Sequence, residues 1–216
     1  MHDMPNRRHF LQETAGMLAT AALATTSFAS RTPFPRTIVG AHPWVYAATM
    51  KNYDITPALG RIFADMKYAG MDAIELMHTA LLASDCVDRI GELSERHALP
   101  VLGTSFGAAM WDRSQHAKIL DEAEMTITRL AKLGGRTFGA SVGNARARKT
   151  EAQLDDQADL LRKIMTLCAD HQVVLNLHNH TYEVTDNQHD LRGTLQRIPE
   201  IKLGPDLDWL VQADVD

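Results

Sequence analysis

Residues 178–183 read HNHTYE and follow directly on the apolar run VVLNL, so imidazole, amide, imidazole and carboxylate crowd into six positions. Neutral imidazole nitrogens and carboxylate oxygens carry protons in general acid–base catalysis. They are also the ligands taken by Mn²⁺, Zn²⁺, Co²⁺ or Fe²⁺, and less readily by Mg²⁺. Residues of the same kind trail the other apolar runs. His42, Trp44 and Tyr46 follow the first run, Glu75 and His78 the second, Ser105 and Phe106 the third. Ser141 and Asn144 follow the fourth, and Asp206, Asp208 and Trp209 the sixth.

Each of these has a plainer use. His178 alternates with Leu175 and Leu177 and also reads as a hydrogen-bonded core histidine. His180 reads either as a substrate contact or as support for one. Asp208 reads as a helix N-cap. Glu75, in the run AIEL, has apolar neighbours on both sides, and a buried carboxylate needs a partner or a function. Two carboxylates such as Glu183 and Asp206, if brought together without a cation, repel and drive one pKa up, so one divalent ion is the economical expectation.

The elements that must position these residues alternate along the chain. Short apolar runs at 37–48, 71–81, 101–110, 136–143, 173–180 and 201–210 read as strands. The intervening stretches carry helical periodicity: Leu59, Ile62, Phe63 and Met66 in one, Ile119, Ala123, Ile127 and Leu130 in another. Thr56-Pro57 marks a helix start, and Gly70 and Gly134-Gly135 mark stops. A shorter helix is expected near 187–197. Such alternation predicts a parallel α/β sheet with crossover helices, either a closed barrel or an open doubly wound sheet. The first strand lacks a glycine-rich phosphate turn, which favours the barrel. In a parallel barrel all strands deliver their C-terminal ends to one face, where the acids and imidazoles would gather.

The chain has 216 residues, 45% apolar and 23% charged, an ordinary globular composition. A formal charge of -5 argues against nucleic acid and anionic membrane as partners. The first 29 residues carry Arg7-Arg8, Phe10-Leu11, a moderately apolar Ala/Thr stretch and Ser27-Phe28-Ala29. They resemble a twin-arginine export signal, which predicts a periplasmic or secreted mature chain without a membrane span. The barrel domain is then 30–216. Cys86 and Cys168 fall on expected helices and read as separate thiols.

HNHTYE after an apolar strand, then DLDWLVQADVD from Asp206, resembles the sugar phosphate isomerase/epimerase family, the xylose-isomerase-like (β/α)8 TIM barrels. AIEL with Glu75 matches that family's second strand. The resemblance implies about six of the eight β-α units here, the family's next histidine and final glutamate belonging to strands seven and eight. It also implies one divalent metal at the C-terminal face. Asp206 matches a metal aspartate, and either His178 or Glu183 matches the metal glutamate. Asp214 stands where the family pattern has glycine.

The resulting expectation is metal-assisted isomerisation or epimerisation of a sugar, sugar phosphate or polyol through an enediolate. Glu75, Glu183 and His180 would be the catalytic groups, with His42, Trp44, His78, Asn179 and Trp209 binding the small-molecule carbohydrate. Dehydratase or lyase chemistry on a keto-sugar or cyclitol uses the same enolate and remains an alternative, as does a non-catalytic exported sugar-binding protein or truncated remnant. An open sheet edge predicts a homo-oligomer.

Overall fold

The computed structural model describes residues 36–215; the twin-arginine segment expected at 1–29 lies outside the described residues. Six strands form one parallel sheet: β1 (Gly40–Ala41), β2 (Ala73–Met77), β3 (Val101–Gly107), β4 (Thr137–Ser141), β5 (Val174–Leu177) and β6 (Lys202–Leu203). They pair in sequence order, β1 to β6, every pair parallel. A doubly wound sheet reverses its strand order at a switch point, and this one does not. The architecture is a partial TIM barrel.

Among the described residues seven α-helices accompany the strands: α1 (Trp44–Ala47), α2 (Leu59–Tyr68), α3 (Cys86–His97), α4 (His116–Lys132), α5 (Glu151–Asp170), α6 (Thr181–Arg197) and α7 (Leu207–Gln212). From α2 onward each helix packs on the next, as right-handed crossovers on one side of a sheet require. The apolar stripes are the ones the periodicity marks. Leu59, Ile62, Phe63 and Met66 of α2 are buried, as are Ile119, Ala123, Ile127 and Leu130 of α4. Each such Leu, Ile, Phe or Met side chain contributes about 1.5–3 kcal/mol through burial. Thr150 and Gln153 close a reciprocal capping box that starts α5. Cys86 and Cys168 are buried free thiols.

Alternation splits the sheet into two faces. Ile74, Leu76, Phe106, Phe138, Ala140, Leu175 and Leu177 are buried under the helices. The row Met77, Ser105, Gly139, Asn176 is linked pair by pair across four strands and faces the other way. Glu75 shares that inner face, since a Cβ built on Gly139 would lie 3.5 Å from its Oε1.

Four departures from the sequence reading have local causes. β1 keeps two residues of the expected run because Pro43 and Trp44 turn at once into α1. β6 is equally short. α6 starts at Thr181, not near 187, because the Glu183 carboxylate reaches back to the His180 backbone N–H and initiates the helix there. It then breaks at Thr185–Gln188, with Asp186, Asn187 and Gln188 left-handed, before resuming. At α7 the N-cap is Asp206, whose Oδ1 accepts from the backbone N–H groups of Asp208 and Trp209; Asp208 lies inside the first turn. Among the described residues no helix is long and apolar enough to cross a membrane. β1 and β6 pair on one side only, beside the exposed Ile38, Val39 and Leu203.

Candidate functional site

Because every strand runs the same way, the residues following β1, β4, β5 and β6 rise to one rim. His42, just past β1, reaches across the face and its Nε2 meets Ser105 Oγ of β3 at 2.9 Å. Burial, then the neighbouring His178, pushes its pKa down from 6.5 to about 4, so the ring is neutral.

After β5, His178 stands 4.0 Å from Asp206 Oδ2 through its Nε2, and its ring meets that of His180 edge-on with centroids 4.9 Å apart. Burial lowers the pKa of His178 and takes that of His180 to about 4. His180 lies parallel to Tyr182, with centroids 5.3 Å apart, and against Trp209 at 5.5 Å. The three loops thus build a rim of neutral imidazoles with one indole wall.

Behind the rim sits Glu183, only 3% exposed. Its Oε1 accepts from Ser141 Oγ at 3.0 Å and its Oε2 from the His180 backbone N–H at 2.7 Å. Burial outweighs these bonds and raises its pKa from 4.5 to about 7. Ser141 also touches His180 Nδ1 and the Tyr182 hydroxyl, each at 3.0 Å. Glu75 lies deeper on the inner face; burial raises its pKa too.

Several residues expected at the site have other partners. Asn179 is buried. Its amide clamps the Asp206 backbone, accepting from the N–H at 3.0 Å and donating to the carbonyl at 3.2 Å. His78 turns away to Glu122 of α4 at 3.3 Å and packs on Phe106. Trp44 is 48% exposed and stacks on Tyr53. Glu183 and Asp206 are held by separate partners: one is buried against Ser141, the other caps α7.

That separation bears on the metal. Among the described residues no three or more His, Cys, Asp or Glu side chains are grouped so as to hold an ion. His178 and Asp206 supply a pair, one short of the three protein ligands usual for a catalytic ion. The residues present therefore do not by themselves fit the expected cation.

Ser141 and Tyr182 are the groups that the sequence reading passed over as working parts. Ser141 was visible only as a polar residue ending an apolar run, and Tyr182 only as the residue between His180 and Glu183 in sequence. A cleft of about 430 Å³ beyond Tyr182, lined by Arg146, Arg148, Asp186 and His189 among others, shares only Tyr182 with the rim.

Solved structures of similar fold include the D-allulose 3-epimerase from Methylomonas sp. (18% identity, TM-score 0.66, 82% of this chain and 66% of that one). An L-ribulose 3-epimerase matches at 22% identity and TM-score 0.64 over 84% of this chain and 64% of its own. The probable 3-DHS dehydratase of petrobactin synthesis from Bacillus anthracis matches at 15% and 0.65, over 83% and 66%. The chain spans just under two thirds of the length of each, and at such identities the likeness is one of fold. No curated protein matches the chain. The family model for the xylose isomerase-like TIM barrel matches residues 63–216, and with the parallel sheet in sequence order this makes the chain a member of the xylose isomerase-like TIM-barrel family.

Proposed function

We propose that the chain is a sugar-modifying enzyme that isomerises or epimerises a sugar, sugar phosphate or polyol by moving a proton next to a carbonyl. The observation that carries this reading is His180, a neutral imidazole on the rim, backed by the buried Ser141 and Glu183 and flanked by Trp209. An imidazole so held can take a proton from the carbon beside a carbonyl, the C–H electron pair passing into an enediolate. Returning the proton to the neighbouring carbon, while that carbon's hydroxyl proton passes to the former carbonyl oxygen, isomerises the sugar; delivery to the opposite face of the original carbon by a second group epimerises it. Glu75 on the inner face is that second group in this reading, its raised pKa keeping a proton available nearer neutrality. His42, fixed by Ser105, would orient a hydroxyl, and Trp209 would wall the apolar face of the ring.

A divalent cation belongs to the proposal only as a binding expectation. His178 and Asp206 would give it two donors, and its chemistry would be to polarise the carbonyl. Export through the twin-arginine route is proposed on the sequence of residues 1–29 alone. The likeness to a dehydratase fold supports a second reading, in which the same enolate expels a β-hydroxyl instead of being reprotonated.

The test is solvent exchange. A panel of ketoses and aldoses is incubated with the protein in D₂O and Mn²⁺, and deuterium at the carbon beside the carbonyl is read by NMR. Exchange is expected with at least one sugar and its loss in His180→Asn. Absence of exchange across the panel, or unchanged exchange in that variant, refutes the proposal. Release of water without exchange into recovered substrate selects the dehydratase.

A further inference from the structure

Ser141 Oγ has three neighbours at one distance: Glu183 Oε1, the Tyr182 hydroxyl and His180 Nδ1, each at 3.0 Å. A hydroxyl has one proton to give and two lone pairs with which to accept. With Glu183 ionised, its carboxylate has nothing to donate, so the Ser141 proton goes to Oε1. The other two neighbours must then both be donors. Tyr182 can serve as one, through its O–H. His180 can serve as the other only if the ring proton sits on Nδ1; a lone pair there would face a lone pair of Ser141.

Tyr182 could relieve that clash only by withdrawing its proton from Ser141 and giving it to Nδ1, 3.2 Å away. That choice leaves one Ser141 lone pair unused and another opposed. The second carboxylate oxygen is already taken by the His180 backbone N–H at 2.7 Å, so Glu183 has no reason to turn. At the far side of the ring, Nε2 has no hydrogen-bond partner among the described residues and is not among the buried unpaired atoms, and the side chain is 34% exposed, so this nitrogen is open at the rim.

We propose that Ser141, with Tyr182 and ionised Glu183 around it, holds His180 in the Nδ1–H tautomer, so that Nε2 presents a lone pair at the mouth of the sheet. Ser141 and Tyr182 are positioning residues, which act through the ring. The open nitrogen is an electron-pair donor, suited to accept the proton of a sugar hydroxyl or of the carbon beside a carbonyl and unable to donate to either. Its use on a sugar rests on the function proposed above, while the tautomer itself does not.

Histidine-selective ¹⁵N labelling of the full chain and long-range ¹H–¹⁵N correlation at pH 8 read the tautomer directly, with His180→Asn assigning the signals. The expected result is a protonated Nδ1 and a pyridine-type Nε2 on His180. Tyr182→Phe should keep that pattern, because Ser141 alone still accepts from Nδ1. Ser141→Ala should shift the population towards Nε2–H, the Tyr182 hydroxyl then donating to Nδ1. Predominant Nε2–H in the unsubstituted protein overturns the proposal, as does a Ser141→Ala protein of native circular dichroism with the tautomer unmoved. If Ser141→Ala does not fold, the unsubstituted and Tyr182→Phe spectra decide the matter. An Nδ1–H signal with no deuterium exchange on any sugar would retire the proposed reaction and leave this assignment standing; Nε2–H with exchange would do the reverse.

Discussion

Glu183 accepts a hydrogen bond from Ser141 across 42 positions of sequence, and both side chains are buried where β4 ends and α6 begins. The bond joins two neighbouring loops of the barrel rim and places a buried acid beneath the part of the rim where the rings of His178, Tyr182 and Trp209 meet His180.

The Glu183 pKa, raised by burial from 4.5 to about 7, has a thermodynamic consequence. An acid whose folded value lies above its unfolded value contributes stability that is present below the unfolded pKa and lost as pH rises through the folded one. The loss amounts to about 3 kcal/mol between pH 4.5 and 8. Glu183→Gln lacks this slope, so its stability relative to the unsubstituted protein is expected to rise by about that amount over the same window. Urea unfolding at pH 4.5 and pH 8 checks it; parallel pH dependence in the two proteins contradicts it.

His42 behaves in the opposite sense. Burial lowers its folded pKa to about 4, so its contribution is present above 6.5 and lost as pH falls through the folded value. At pH 5 the unfolded chain has taken up the proton and the folded ring has not, a loss of about 2 kcal/mol. His42→Gln can still meet Ser105 and should lose less stability than the unsubstituted protein between pH 8 and pH 5. Equal losses would show that the ring is solvated, not held against Ser105.

The rim residues that the sequence made legible are those whose position depends on strand direction alone. His42, His178, His180 and Asp206 each follow an apolar run, and parallel strands bring such residues together whatever the loops do. Side-chain direction is less legible. Asn179 lies between two histidines that face the rim, yet its amide serves the Asp206 backbone, because a turn leaving β5 must satisfy the chain entering α7. Glu183 has the residue type of a metal ligand and the spacing of a helix N3 position, and the helix took it. His78 turned to Glu122, a partner on α4 that no local pattern announces. Short strands were overread for a related reason: β1 and β6 keep two residues each because pairing needs a neighbour, and apolar text continues past the point where pairing stops.

Gly103 and Gly91 test the packing from two directions. A Cβ on Gly103 would stand 2.0 Å from Thr137 Oγ1 and 2.6 Å from the Thr137 carbonyl, where β3 meets β4. Backbone cannot yield as a flexible side chain can, so Gly103→Ala is expected to cost about 3 kcal/mol. Gly91 lies inside α3, and its nearest neighbour, Leu133, would be 3.9 Å from the new methyl. Gly91→Ala should therefore stabilise by about 0.5–1 kcal/mol. Denaturant midpoints for the two variants should move in opposite directions; a neutral Gly103→Ala would mean that the β3–β4 register is wrong.

Lys149 makes the last case, because it is buried where lysine rarely is. Its Nζ lies 2.5 Å from Asp190 Oδ2 and donates to Gln157 Oε1 at 2.7 Å, and Gln157 in turn donates to Asp190 and to Thr194. All four side chains are at most 6% exposed. The network ties the loop after β4 to α5 and to the part of α6 beyond its break. Lys149→Met strands an unpaired aspartate and is expected to cost about 3–5 kcal/mol. Lys149→Met with Asp190→Leu removes both charges and should recover most of that loss, since replacing a buried ion pair by apolar side chains is often close to neutral. A double variant no more stable than the single one would show that the pair holds α6 by charge attraction, not by filling space between α5 and α6.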